Sequence, residues 1–165
     1  MRVYLPSTST QLRRLSTAGA LDPGLTGFAV TPAIREYYVD DDAEELEYAS
    51  SSEAARASLR LIAADESAAR RRIVLAADIP ELSVVVRDDL DRGVVRVAVE
   101  VPIGWCVSVH CDDSDAEATV ALAAGLIDAA DLGDVDAEEK VDDAEGYELC
   151  WYATQEIDEL LADLN

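Results

Sequence analysis

Apolar positions along the chain switch between two periods, and the switches outline the elements. Residues 2–5 form a short β run that predicts a strand stopped by Pro6. Thr8 and Gln11 have the spacing of a capping box, and the helix it opens sets Leu12, Leu15 and Ala18 on one face before Gly19 ends it. Beyond the turn residues Asp22, Pro23 and Gly24, residues 27–30 predict a second strand. Thr31 and Pro32 then supply an N-cap and a first helical residue. The acidic stretch 40–47 predicts the start of a further helix. Ser50, Ser51 and Ser52 predict the cap of another, running to Ala64 with Ala55, Leu59 and Ile62 turned inward.

Residues 71–79 read as a buried strand closed by Pro80. A hairpin is predicted from 82–87 and 93–101 around 88–92. In its second strand Val95, Val97, Val99 and Val101 alternate with Val94, Arg96, Ala98 and Glu100. Residues 105–111 predict one more strand, and Ser114 with Glu117 a second capping box opening a helix to about Ala130. The segment 131–146 reads as acidic and turn-rich. Residues 147–153 predict a strand, and Thr154 caps a last helix in which Ile157, Leu160, Leu161 and Leu164 follow the helical period. A single helix over 144–164 fits the same residues, because Tyr147, Cys150 and Trp151 share that period.

In order the elements run βαβαα, βββ, αβα. Adjacent strand pairs of this kind predict an α+β domain with a mixed, largely antiparallel sheet and helices packed mainly on one face. No internal repeat or long linker divides residues 1–165, so one domain is expected.

Charge changes this picture most. The formal charge of −22 arises from 35 acidic against 13 basic residues, Lys140 being the one lysine. Residues 1–111 hold 17 acids and 12 arginines, net −5, whereas the carboxyl-terminal third, 112–165, holds 18 acids and Lys140, net −17. Such a field repels phosphate backbones and anionic lipid, so direct nucleic-acid binding is not expected and a basic protein partner is favoured. Acidic surfaces also simply keep proteins soluble, and arginine in place of lysine is what a GC-rich genome encodes. The amino terminus has no apolar stretch of signal-peptide length and no run approaches a membrane span. Cys106, Cys111 and Cys150 are odd in number and lack CxxC spacing, which predicts free thiols in the cytoplasm, with Cys106 and Cys150 in the core and Cys111 at a strand end.

Several stretches, MRVYLP at 1–6, LTGFAVTP at 25–32 and WYATQEI at 151–157, together with 63–79 and VHCDD at 109–113, resemble a family of actinobacterial proteins with no assigned activity. The resemblance covers nearly the whole chain. It implies a cytoplasmic bacterial protein and supplies no catalytic residue.

Candidate chemistry is thin. His110, the one histidine, adjoins Cys111, Asp112 and Asp113, but successive strand residues face opposite ways and zinc needs four properly spaced ligands, so no metal site is read there. Residues 134–145 match a twelve-residue calcium loop with acids at positions 1, 3, 5, 9 and 12, yet position 6, which must be glycine, is Glu139. Thr8, Ser9 and Thr10 could rest a phosphate on a helix start, but they lack the glycines and lysine of a phosphate loop, and capping explains them. Ser108 has no GxSxG elbow, and any nucleophile would have to recruit His110 from the same strand. The cluster Arg70-Arg71-Arg72 reads as a solvated strand boundary able to hold an anion. Trp105, Trp151 and Tyr152 read as core-completing aromatics.

Together these features lead to an expectation of a small acidic interaction or regulatory protein rather than an enzyme. It would engage a basic partner through Asp134, Asp136, Glu138, Glu139, Asp142 and Asp143, with no cofactor and no metal implied and the oligomeric state open. The alternative is an enzyme that uses carboxylates with a divalent ion, or His110 and Arg71 in a cleft. A concave pocket gathering His110, an arginine and two carboxylates would favour the enzyme, and a flat acidic face the interaction protein.

Overall fold

The computed structural model describes residues 1–39 and 42–164. Its strands are β1 (Arg2–Ser7), β2 (Ala20–Leu21), β3 (Leu25–Phe28), β4 (Ile73–Asp78), β5 (Val84–Val86), β6 (Val94–Val97), β7 (Val101–Pro102), β8 (Cys106–Cys111) and β9 (Cys150–Tyr152). Its α-helices are α1 (Ser9–Ala18), α2 (Pro32–Tyr37), α3 (Ala43–Ala64), α4 (Glu117–Asp131), α5 (Val135–Glu145) and α6 (Ile157–Asp163). Seven strands form one sheet in the order β5-β6-β3-β1-β4-β8-β9, with every pairing antiparallel, and β2 pairs with β7 apart from it. This is an α+β fold.

Local chemistry sets most of the element ends. Thr8 Oγ1 accepts the Gln11 N–H at 3.3 Å, and Gly19, at φ 77°, closes α1 with its N–H on Leu15 O. Thr31 caps α2 with Pro32 at its first position. Asp42 caps α3 by accepting from Glu45 N at 2.8 Å. The serine triplet 50–52 therefore starts nothing: one continuous helix runs through it, held on the sheet side by Ala54 and Ala55 and on the α4/α5 side by Leu59 and Ile62. Of the acidic stretch 40–47, Asp40 and Asp41 lie outside the described residues. Pro6 stays inside β1 opposite Val74, and the ladder on the β3 side is confined to Tyr4 and Phe28, where a missing N–H costs least. Asp113, not Ser114, accepts at the start of the turn that leads into α4.

The largest departure is α5. Asp134 accepts from Ala137 N at 3.0 Å, and Ala137, Val141 and Ala144 form a buried stripe against α4 and α3. The segment is a helix, not a run of turns. Its carboxylates stand around a helix axis, so the twelve-residue stretch 134–145 has no loop in which to gather them. Residues 150–152 form β9, which settles the 144–164 alternative in favour of a strand followed by α6.

Parity along the strands divides the core. Val3, Leu5, Ile73, Leu75, Val95, Val97 and Val109 face one side, where Leu12 and Leu15 of α1 and Ile157, Leu160 and Leu161 of α6 cover them. Tyr4, Val74 and Ala76 face the other, against Ala54 and Ala55 of α3. Behind α3, its residues Leu59 and Ile62 pack on α4 and α5. The three longest helices thus stand on one side of the sheet, and the opposite face is closed by the shorter α1 and α6. Alanines let α3 lie close to the strands. There Ser58 Oγ donates to Ser7 O at 2.7 Å and accepts from Ile73 N at 3.1 Å, tying β1 and β4 to the helix.

Candidate functional site

β8 alternates, so Ser108 and His110 share the α3 side of the sheet while Val109 and Cys111 enter the core of the other side. Ser108 Oγ lies 2.9 Å from His110 Nε2, and Trp151 of β9 stands opposite His110, 62% exposed. Burial lowers the His110 pKa below 6.5, with the nearby Arg2 charge adding to the effect, so the imidazole is neutral at pH 7.

His110 opens into a groove of about 650 Å³ between α3 and the link from α5 to β9. Tyr4 also lines it, while Glu44, Glu47, Tyr48 and Glu53 come from α3 and Glu145, Tyr147 and Glu148 from the facing wall. Tyr48 donates to Glu148 across the groove at 3.1 Å, and that carboxylate holds the phenol pKa above its usual value. From Glu44 to Arg56 the α3 wall is about 18 Å long at about 1.5 Å per residue.

The groove does gather His110 with arginines and carboxylates, but Arg71 is not one of them. Arg71 and Arg72 lie side by side in the bend before β4 but meet different partners. Arg71 is buried on the α1/α6 side, donating to Glu117 at 3.1 Å and to Asp163 at 2.9 Å. Arg72 is the groove's arginine, and it forms a bidentate pair with the fully buried Asp112, both contacts at 2.8 Å, and donates to Tyr147 O at 2.9 Å. Arg70 donates to Ile62 O and Asp65 O at the end of α3. The three arginines are therefore internal fasteners, Arg71 alone joining α4 and α6, and the expectation of a solvated boundary is corrected. No local pattern marks the Arg71 and Arg72 pairs, because their acceptors lie 40 or more residues away in the chain.

The second groove arginine, Arg56, is engaged as well. It binds Glu138 through two 2.9 Å contacts and reaches Asp131 and Glu145 at 3.4 and 3.5 Å, while Arg60 holds Asp131. Hydrogen bonding to these arginines lowers the Glu138 and Asp131 pKa values. The six acids singled out in the carboxyl-terminal third consequently separate by role. Asp134 is a cap, Glu138 an ion-pair partner of Arg56, and Asp143 lies 3.8 Å from Lys140. Asp136, Glu139 and Asp142 are exposed on α5 and form no ion pair among the described residues.

The thiols are free, but Cys150 is exposed rather than in the core, whereas Cys106 and Cys111 are buried. Trp151 is likewise outside the core, and Trp105 and Tyr152 pack against it. Thr8 caps as expected, and Ser9 Oγ accepts from Ala69 N at 2.8 Å. Among the described residues no group of three or more His, Cys, Asp or Glu is placed to hold a metal ion, and no helix is long and apolar enough to cross a membrane.

The sequence model of a family of unknown function (DUF6912) matches residues 1–161. No curated protein and no solved structure matches the chain.

Proposed function

We propose that this chain, which belongs to the family of unknown function (DUF6912), is a cytoplasmic binding protein that seats a basic, extended segment of a protein partner in the groove beside α3. One observation carries the reading. Both groove arginines are spent on internal carboxylates and His110 is neutral, whereas Glu44, Glu47 and Glu53 on α3 form no ion pair among the described residues. The charge left facing the groove is negative. An extended peptide at about 3.3 Å per residue needs about five or six residues to run along a wall of about 18 Å. The exposed Asp136, Glu139 and Asp142 add long-range attraction, which speeds encounter more than it tightens the complex. Three free thiols fit a reducing compartment.

Calorimetric titration with a lysine- and arginine-rich hexapeptide tests this. Saturable, salt-sensitive binding is expected, weakened several-fold by Glu44→Gln with Glu47→Gln. Affinity unchanged by that double variant, or absence of saturation at low salt, defeats the reading.

The 2.9 Å contact between Ser108 and His110 supports a second reading, a hydrolytic enzyme with a neutral histidine as base. Although the groove gathers His110 with arginines and carboxylates, this reading ranks lower because both arginines are held by internal carboxylates, Ser108 is only 6% exposed and the imidazole has no second partner to orient it among the described residues. Labelling of Ser108 by a fluorophosphonate, abolished in His110→Gln, would promote this reading over the first.

A further inference from the structure

A second cavity, of about 270 Å³, opens between α2, α3 and the turn joining β5 to β6. Phe28, Ile34, Leu46 and Val94 give it an apolar lining, while Glu45, Glu53 and Asp91 outnumber Arg92 among its charged residues. The walls are already fastened. Thr31 Oγ1 donates to Arg92 O, Ala29 N donates to Gly93 O at 3.0 Å, and the Arg92 guanidinium lies 3.7 Å over the Tyr37 ring. A Cβ at position 93 would meet Ile34 Cδ1 at 2.8 Å, so glycine lets the turn close against α2. Ser50 also lines the cavity. It is 3% exposed, and its Oγ is the one buried side-chain oxygen or nitrogen without a hydrogen-bond partner among the described residues. A buried hydroxyl left unpaired is unfavourable, and a ligand group would satisfy it.

We infer that this cavity binds a small organic cation, an ammonium carried on one aromatic ring or a short alkyl chain. A cavity of about 150 Å³ holds benzene, so this one has room for a ring and a short tether. The ring rests on Phe28, Leu46 and Val94, and the ammonium turns towards Glu53 and Glu45 and donates one N–H to Ser50 Oγ. An apolar enclosure with a few convergent polar groups is the usual form of a small-molecule site. Glu53 borders both this cavity and the groove, but Ser50, Leu46 and Gly93 line the cavity alone and the groove's test changes Glu44 and Glu47, which the cavity lacks, so the two readings fail separately.

The test is amide-resolved NMR titration of the whole chain with phenethylamine, against 3-phenylpropionate as the anion of similar body. Phenethylamine should give saturable shifts at Leu46, Ser50 and Gly93 in the millimolar range, at least about tenfold tighter than the anion. Ala49, exposed at the cavity's edge, is changed in Ala49→Phe, which should block binding and leave the melting temperature unaltered. Ser50→Ala should weaken phenethylamine about fivefold while the free protein keeps or gains stability, since no bond is lost. Equal binding of the two probes, binding retained in Ala49→Phe, or no saturable shift with phenethylamine overturns the inference. So does a Ser50→Ala variant that is destabilised yet binds phenethylamine as before, because the hydroxyl would then be structural.

Discussion

Ser58 and Ser50 sit on one helix, both buried, with opposite consequences for removal. Ser58 serves a carbonyl and an amide of two strands, so Ser58→Ala strands both and should cost about 1–3 kcal/mol. Urea denaturation would read this, and a loss no larger than that of Ser50→Ala would contradict it. Thiol reactivity separates the cysteines in the same way. Burial raises the Cys106 pKa to about 11 and the Cys111 pKa to about 12, while Cys150 is exposed. One thiol should react quickly with a disulfide reagent at neutral pH and three after unfolding without reductant. Two fast thiols would count against the buried assignment. His110 gives a pH dependence of definite sign. Its folded pKa lies below 6.5, so the unfolded chain takes up the proton first as pH falls. The stability contributed by the neutral imidazole is present above 6.5, is lost on descent towards the folded value, and levels off below it. Between about pH 8 and about pH 5 the wild type should lose stability relative to His110→Gln, and parallel melting profiles would refute this.

Among the elements, α5 carries the clearest test. Its cap makes Asp134→Ala cost about 1 kcal/mol. Glu138→Lys sets a cation against Arg56 and should also destabilise. Glu139→Lys with Asp142→Lys behaves differently. Lysine at 142 follows Glu138 by four residues, lysine at 139 precedes Asp143 by four, and position 142 lies near the carboxyl end where the helix dipole favours cations. The melting temperature should hold or rise while association with a basic partner slows at low salt. Destabilisation of that double variant would mean the exposed face of α5 has a structural partner.

For the molecule as a whole, the uneven charge is less divided than composition implies. Arg56, Arg60, Arg71 and Arg72, all from the nearly balanced part, reach across to Glu138, Asp131, Glu117, Asp163 and Asp112 in the acidic third. These pairs stitch the two parts into one body, and Asp112→Asn, which breaks the pair buried deepest, should cost about 3–5 kcal/mol. A net charge of −22 still remains. Self-repulsion then outweighs the exposed ion pairs, so added sodium chloride should raise the melting temperature as it screens the excess. A fall with salt would show that exposed pairs dominate.

Caps, turns and stripes were readable along the chain because their partners lie within one helical turn or one strand spacing. Thr8, Gly19, Thr31 and the Ile157, Leu160, Leu161 stripe of α6 are of this kind, as is the hairpin of β5 and β6. The dense acids of 134–145 hid a helix whose apolar stripe is only Ala137, Val141 and Ala144, residues that become a core face because α4 and α3 happen to cover them. Which of two adjacent arginines would line the groove with His110 depended on partners 40 or more residues away. The groove, the spent arginines and the unpaired Ser50 all rest on contacts between residues far apart in the chain, and such contacts come into being only when helices and strands pack. Local hydrogen-bonding rules and residue periods made the elements legible. Long-range packing alone decided which charges were neutralised and which remained to face solvent.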